Sequence, residues 1–412
     1  MMRRCGLLGE RLSYSYSPQI HAMLGDYEYR LYEKQPNQLE DFLKNGDFHG
    51  LNVTIPYKKA VMEFCGEVSE TARAIGSVNT LTRRPDGLLY GDNTDFFGFS
   101  YLLEKSGVDI TSGKTIILGS GGSSLTAQAV LKKMGAREIV IVSRSGTNNY
   151  ENINNHSDAE IIINATPVGT YPNNGISPIA DPGIFKKCRA VIDLIYNPAK
   201  TELLLQAEER KITAVNGLAM LAAQAKKSAE IFTGESIADE VTEEIIKKIT
   251  LFTQNIVLIG MPGCGKTSIG SALAKRINRK FADTDMAVVE AAGKTVGDIF
   301  AQDGECAFRN LETKALEQIC KQSGMVVATG GGVVTRPENL RLIRQNGIIV
   351  YLDRDISRLP VSDRPLSMQK GIDALAEARL PLYRQWAEHT AEVCGVLQTA
   401  ENIYEMIFGS VK

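Results

Sequence analysis

The 412-residue sequence contains no C-x-x-C pair. Its seven cysteines (5, 65, 188, 264, 306, 320 and 394) are odd in number and scattered. That argues against a disulfide framework and a zinc site, and for reduced thiols in a cytoplasmic setting. Histidine is scarce as well: the four lie far apart, and none has metal-ligand spacing. An excess of one charge is also missing. Lys and Arg total 46 against 48 Asp and Glu, so the net charge of −2 gives no reason to expect nucleic acid or an anionic membrane as partner. The apolar run behind Arg3 and Arg4 stops at Gly9 and Glu10, too short for the core of a secretion signal. No run approaches the length of a membrane span. These absences leave a cytoplasmic protein whose partners are small molecules, with its oligomeric state open.

What is present is an ordinary core-forming composition, 43% hydrophobic, with a glycine count of 37 that suits ligand-binding loops. The length suggests two or three domains. Gly260-Met-Pro-Gly263-Cys264-Gly265-Lys266-Thr267 has the phosphate-binding spacing G-x-x-x-x-G-K-[ST]. Ile256 to Ile259 reads as a buried strand before it, and Thr267 to Arg276 as a helix after it. Glycines let backbone N–H groups curl around phosphate oxygens, and the helix N-terminus adds positive potential. In this arrangement Gly260, Gly263, Cys264, Gly265 and Ser268 cradle ATP, Lys266 reaches the outer phosphates, and Thr267 binds Mg²⁺.

Strands alternate with helices along the first hundred residues, with strands near Cys5–Gly9, Tyr27–Tyr32 and His49–Ile55, which indicates a mainly parallel α/β sheet. Polar residues gather between these elements. Ser17 reads as a helix N-cap with Pro18 at the first helical position, and Asp95 as a cap for the helix from Phe96. Lys58 alone reads equally as a solvated surface lysine. Taken together, Ser15-x-Ser17-Pro18, Asn52-Val-Thr54-x-Pro56-x-Lys58, Gly76-x-Val-Asn79-Thr80 and Gly91-Asp-Asn93-Thr94-Asp95 resemble the signature of shikimate dehydrogenase. The resemblance implies that Ser15, Ser17, Asn52, Thr54, Asn79 and Asp95 hydrogen-bond shikimate and that Lys58 and Asp95 are the catalytic pair. The residue types fit, because a lysine beside a ketone oxygen can protonate the alkoxide left by hydride transfer.

Thr115 to Leu118 reads as a buried strand leading into Gly119-Ser120-Gly121-Gly122-Ser123-Ser124 and a helix, a dinucleotide fingerprint with Ser in its last place. The next strand, Glu138–Val142, ends in Ser143-Arg144-Ser145 where an NAD enzyme carries an acid. A guanidinium with two hydroxyls suits a 2′-phosphate and so NADP(H), although Arg144 also reads as a plain surface arginine. Residues 146–157 are Asn-rich and aperiodic, where the family usually has a longer strand–helix segment. By the same resemblance Tyr196 and Gln224 contact substrate, and Gly217 and Met220 lie at the nicotinamide. Met220 reads equally as core. Ile237, Val241, Ile245 and Ile249 form an apolar stripe on a last helix that packs back on the first domain.

Behind the phosphate loop, Asp283 and Asp285 sit two apart at a strand end and point the same way. Asp283 suits a metal-bound water, and Asp285 a substrate hydroxyl. Arg309 and Glu312 share a helix face. Gly330-Gly331-Gly332 ends a strand, Asp363-Arg364-Pro365-Leu366 lies in a polar loop, and Arg379-Leu-Pro381-Leu-Tyr383 begins a helix. This set resembles shikimate kinase. It implies that Asp285, Arg309, Gly331, Gly332 and Arg379 hold shikimate and that Arg364, on a lid, stabilises the transferred phosphoryl group.

The expected architecture is α/β throughout. Residues 1–95 and 217–250 form a dehydrogenase substrate domain, 96–216 a Rossmann-like NADP domain, and 254–412 a P-loop kinase domain with a parallel sheet. The expected protein is a bifunctional enzyme of aromatic amino acid biosynthesis that reduces 3-dehydroshikimate with NADPH and phosphorylates shikimate with ATP and Mg²⁺. The alternative is a quinate/shikimate dehydrogenase fused to a P-loop domain that binds ligand without turnover.

Overall fold

The computed structural model describes residues 2–12, 15–359 and 371–409. The chain divides into two compact units, residues 1–197 with 201–249, and residues 250–412 with 198–200.

The first unit holds two sheets. One is built from β1 (Arg4–Gly9), β2 (Glu28–Glu33), β3 (Gly50–Val53), β4 (Cys65–Val68), β5 (Thr80–Arg83) and β6 (Leu89–Asp92), in the order β2-β1-β3-β5-β6-β4. β1 runs parallel to β2 and β3, but β5 is antiparallel to both β3 and β6. The other five strands run the same way, β4 parallel to β6, so the sheet is mainly parallel as expected, with β5 alone reversed. The reversal comes from a tight turn at Pro85-Asp86-Gly87, where Gly87 has φ +86° and the Asp86 carboxylate accepts the Leu88 N–H at 3.0 Å. Successive side chains of a strand face opposite sides. Leu8, Leu51 and Val53 pack with Leu39, Leu43 and Phe48. Cys5 packs with Ile20, Leu24 and Tyr27, and with Phe232, Ile245 and Ile249 of the returning helices Leu218–Thr233 and Asp239–Thr253. Each fully buried Leu, Ile or Phe side chain contributes roughly 1.5–3 kcal/mol, so this strip anchors the return firmly. Ile237 lies just ahead of its helix.

The second sheet is wholly parallel. It contains β7 (Lys114–Leu118), β8 (Glu138–Val142), β9 (Ile161–Asn164), β10 (Ala190–Asp193) and β11 (Thr213–Val215), in the order β11-β10-β9-β7-β8. Its strands are nearly continuous runs of Val, Ile and Leu, as expected of strands covered on both faces. The Asn-rich stretch after β8 forms only the short 3₁₀ turn Ile153–His156, and β8 is an edge. Helix Thr94–Ser106 packs on Leu218–Thr233, and Gly98 permits the approach: a Cβ there would lie 2.9 Å from that of Gln224.

The second unit has one parallel sheet, β12 (Asn255–Ile259), β13 (Lys280–Asp283), β14 (Met325–Ala328), β15 (Gly347–Asp353) and β16 (His389–Glu392), ordered β13-β14-β12-β15-β16. No helix among the described residues is long and apolar enough to cross a membrane.

Four local expectations are corrected. Ser17 is the first residue of helix Ser17–His21, not its cap, because its hydroxyl is engaged with that of Ser15 at 3.0 Å. Helix Thr94–Ser106 is capped by Asn93, whose carbonyl accepts the Phe96 N–H, which leaves Asp95 in the first turn. Asp283 ends β13 and caps the next helix, Thr284–Ala292, so Asp285 is helical rather than in the strand. Arg379 lies inside helix Ile372–Trp386, which starts well before the position expected and contains Pro381.

Candidate active sites

The first unit encloses a cavity of about 730 Å³. Of the residues expected at the dehydrogenase site, Ser15, Ser17, Asn52, Thr54, Lys58, Asn79, Asp95, Tyr196, Gly217, Met220 and Gln224 all line it. Lys58 sits in the turn after β3 and Asp95 in the first turn of helix Thr94–Ser106. Their side chains meet with Nζ 2.6 Å from Oδ2, at 21% and 11% exposure. A carboxylate is favoured at a helix N-terminus, so the fold holds the acid in place and the acid orients the ammonium. The remaining polar lining is oriented by the protein itself. The Asn79 side-chain Oδ1 accepts the Thr94 N–H at 2.7 Å, which turns its NH₂ the other way. The Gln224 NH₂ donates to the Leu221 carbonyl at 3.0 Å. The Tyr196 ring lies against Tyr16, and burial pushes its phenol up to about 12. Met220 both joins the core and faces the cavity.

Gly119, Ser120, Gly121 and Gly122 follow β7 and lead into helix Gly122–Lys133, while Ser123 reaches the cavity wall. A Cβ on Gly121 or Gly122 would meet nothing within 4 Å. The loop is thus an open cradle of backbone N–H groups at a helix N-terminus, as a pyrophosphate requires. After β8, Arg144 and Ser145 are exposed and Ser143 is buried. An exposed guanidinium beside the cradle fits the 2′-phosphate of NADP(H).

The second unit encloses a cavity of about 830 Å³, lined by Gly263, Gly265, Lys266, Thr267, Ser268, Asp283, Asp285, Arg309, Gly331, Gly332 and Arg379, among others. Gly260, Gly263 and Gly265 have φ of +149°, +84° and +103°, which only glycine adopts readily. Lys266 curls back over this loop, its ammonium donating to the carbonyls of Gly260 (2.8 Å) and Met261 (3.0 Å). The Cys264 side chain is fully buried, so it offers a ligand only its backbone. The Thr267 hydroxyl donates to Asp283 Oδ2 at 2.7 Å. Two hard oxygen donors beside a phosphate loop suit Mg²⁺, which takes few protein ligands and keeps waters and phosphates for the rest.

Arg309 pairs with Glu312 at 2.6 Å, and Arg379 donates to the Gly331 carbonyl at 3.1 Å. Among the described residues, three buried polar atoms here lack a hydrogen-bond partner: Asp285 Oδ1, Arg309 Nε and Glu312 Oε1. Such orphans are rare and expensive in a folded protein, so a cluster of them marks a place for a polar ligand. Burial and the neighbouring Glu312 push the Asp285 carboxyl up to about 6. Arg364 lies outside the described residues. Arg354, not singled out in the sequence, lines the cavity and donates to the Gly263 carbonyl at 3.3 Å.

Comparison with known proteins finds a family match in each unit. Residues 7–81 match the family model of the shikimate dehydrogenase substrate binding domain. The NADP(+)-dependent shikimate dehydrogenase of Clostridium perfringens strain SM101 is 36% identical over 266 residues, covering 60% of this chain and 97% of that protein. The chain belongs to the shikimate dehydrogenase family. Residues 262–408 match the family model of shikimate kinase, so this family member carries a shikimate kinase domain as well. Among solved structures, the chorismate mutase/shikimate 5-dehydrogenase fusion protein from Clostridium acetobutylicum matches 60% of this chain and 97% of its own, at 38% identity and a TM-score of 0.57. The shikimate 5-dehydrogenase of Thermus thermophilus in complex with NADP(H) and shikimate matches 60% of this chain and 99% of its own, at 28% identity and a TM-score of 0.55.

This dehydrogenase has cavity features that motif reading missed. Tyr29 and Ser228 stand directly behind the asparagines, beside the motif residues Thr80 and Thr94. The sequence signal of Tyr29 and Ser228 is only a phenol in a strand and a hydroxyl in a helix, and it acquires meaning only when distant elements meet.

Proposed function

We propose that the chain catalyses two consecutive reactions: reduction of 3-dehydroshikimate to shikimate, then phosphorylation of shikimate at its 3-hydroxyl. The observation that carries the first is the Lys58–Asp95 pair inside a cavity lined by neutral hydrogen-bonding groups. NADPH supplies the hydride when bound, held at Gly119, Ser120, Gly121, Gly122 and Ser123, with Arg144 and Ser145 at its 2′-phosphate and Gly217 and Met220 near its nicotinamide. Lys58 gives its proton to the substrate oxygen as the carbonyl becomes an alcohol. Asp95 keeps the ammonium aligned and offsets its charge. Ser15, Ser17, Asn52, Thr54, Asn79, Tyr196 and Gln224 hold the ring hydroxyls and carboxylate. Arg144, where an NAD enzyme carries an acid, supports NADP(H) over NAD.

The second reaction uses the other cavity. The glycine loop and Lys266 hold the phosphates of ATP, and Thr267 and Asp283 hold Mg²⁺. Asp285 takes the proton of the attacking hydroxyl, and the orphaned donors and acceptors of Asp285 and Arg309 become paired by the substrate. Arg309 and Arg379 bind its carboxylate, since a planar guanidinium matches that group. Gly331 and Gly332 supply backbone contact, and Arg364 stabilises charge on the transferred group. Phosphoryl transfer is mostly positioning and electrostatics, which this arrangement can provide. In this reading residues 1–95 and 217–250 bind the dehydrogenase substrate, 96–216 the cofactor, and 254–412 act as the kinase.

A one-pot reaction of 3-dehydroshikimate, NADPH and MgATP, followed by mass spectrometry with single omissions, tests the proposal. Shikimate 3-phosphate forming only with both cosubstrates, and shikimate accumulating without ATP, is the expected result. NADPH oxidation that stops at shikimate in the presence of ATP leaves a dehydrogenase joined to a ligand-binding domain.

A further inference from the structure

Asn52 lies at the base of the dehydrogenase cavity with both ends of its amide engaged. Its Oδ1 accepts from the Tyr29 hydroxyl at 2.8 Å. Its Nδ2 donates to Ser228 Oγ at 2.7 Å and, less closely, to Thr80 Oγ1 at 3.3 Å. Ser228 is fully buried on helix Leu218–Thr233, one turn beyond Gln224. Its hydroxyl donates to the Gln224 carbonyl at 2.9 Å. A hydroxyl has a single proton, so toward Asn52 the Ser228 oxygen can only accept. That fixes the Asn52 amide with its nitrogen toward Ser228 and its oxygen toward Tyr29. Burial raises the Tyr29 phenol well above its ordinary value, so it stays a donor throughout the working pH range.

The same hydroxyl ties the second cavity asparagine into the arrangement. Ser228 Oγ is 3.1 Å from Thr80 Oγ1 and 3.0 Å from Thr94 Oγ1, and those two are 3.0 Å apart. Both threonine hydroxyls reach Asn79 Oδ1, at 3.1 and 3.2 Å, where the Thr94 N–H also donates. Three elements distant in sequence thus meet at one buried triangle of hydroxyls: β5, the first turn of the Asp95 helix, and the Gln224 helix.

We propose that Ser228 is a positioning residue for dehydrogenase substrate recognition, acting through Asn52 by fixing the orientation of its amide at the cavity wall. The inference rests on the reduction reading given above. Without the Ser228 oxygen the Asn52 amide loses its closest acceptor and with it the fixed orientation in which it meets the substrate.

Steady-state kinetics of the full chain with NADPH and 3-dehydroshikimate test this. Ser228→Ala should raise the substrate KM about tenfold with kcat within about twofold, a loss of the size expected for one buried hydrogen bond. The NADPH KM and the kinase activity should not change. In an Asn52→Ala background, adding Ser228→Ala should have no further effect. An additive loss in the double variant, or a Ser228→Ala enzyme with wild-type KM, overturns the proposal. Because reduction itself is part of the reading, shikimate binding is measured in parallel by calorimetry on full chain carrying Arg309→Ala and Arg379→Ala, which disable the kinase site. If the wild type reduces nothing yet Ser228→Ala weakens this binding about tenfold, the positioning role stands and the reaction assignment fails. Unchanged binding and turnover in Ser228→Ala refute the role alone.

Discussion

Each proposed reaction depends on a single lysine, and the two are placed differently. Lys58 faces a carboxylate at 2.6 Å, whereas Lys266 faces two backbone carbonyls and has no carboxylate partner within ion-pair distance among the described residues. Lys58→Ala removes a proton donor, so reduction should fall on the order of 10²–10⁴-fold while phosphorylation of added shikimate is unchanged. Lys266→Ala should do the reverse, and a folded single variant lacking both activities contradicts the assignment. Asp285 gives a pH signature. Its carboxyl is raised to about 6 by burial first and by Glu312 second. A base works only when ionised, so kinase kcat/KM for shikimate should rise with pH through about 6 and level off above it. Glu312→Gln removes a negative neighbour and lowers the Asp285 value, so the rise should move to lower pH. A rise that stays put, or moves up, refutes the coupling.

At the scale of elements, the parallel strands were legible because their Val, Ile and Leu runs are buried on both faces. β7, β8 and β12 fall, to within about a residue, where their sequence places them. β4, β5 and β6 were not read, although Pro85-Asp86-Gly87 signals the turn between the last two; Thr80–Arg83 and Leu89–Asp92 are four residues each and half polar. Many motif residues of the cavities were legible for a different reason, since they lie in loops or at element ends, whereas Gln224, Arg309 and Arg379 lie inside helices and were read through the family resemblance. Ser228 was not legible, because only tertiary packing brings it to the motif residue Thr80, 148 positions away. Two predictions belong here. A Cβ on Gly332, at the end of the β14 loop, would fall on the Arg309 guanidinium. Gly332→Ala should therefore raise the kinase KM for shikimate at least about tenfold, as loss of one charged hydrogen bond would, and leave the KM for ATP nearly unchanged. Equal changes in both constants would point to a general disturbance of the loop. Among the described residues β8 is a sheet edge, and Arg144 stands as an exposed cation just past its end. Arg144→Ala should raise the KM for NADPH about tenfold or more while that for NADH changes little. A matching loss with both cofactors would remove Arg144 from the 2′-phosphate.

For the whole chain, the first cavity is lined by residues between Leu7 and Gln224 and the second by residues between Pro262 and Val396. Neither shares a lining residue with the other among the described residues, so each carries its own chemistry. Under the proposed function one product is the other's substrate, which gives a reason for the two to share a chain without requiring that shikimate pass directly between them. Shikimate is small and chemically stable, and it gains nothing from protection in transit. When the coupled reaction runs from unlabelled 3-dehydroshikimate in the presence of excess isotopically labelled shikimate, the label should therefore enter shikimate 3-phosphate in proportion to its share of the free pool from the first turnovers. Mass spectrometry of the early product decides the matter. Product that stays unlabelled while the pool is labelled would mean that newly formed shikimate reaches the kinase cavity before it mixes with solvent, and that the fusion contributes more than equal amounts of two enzymes.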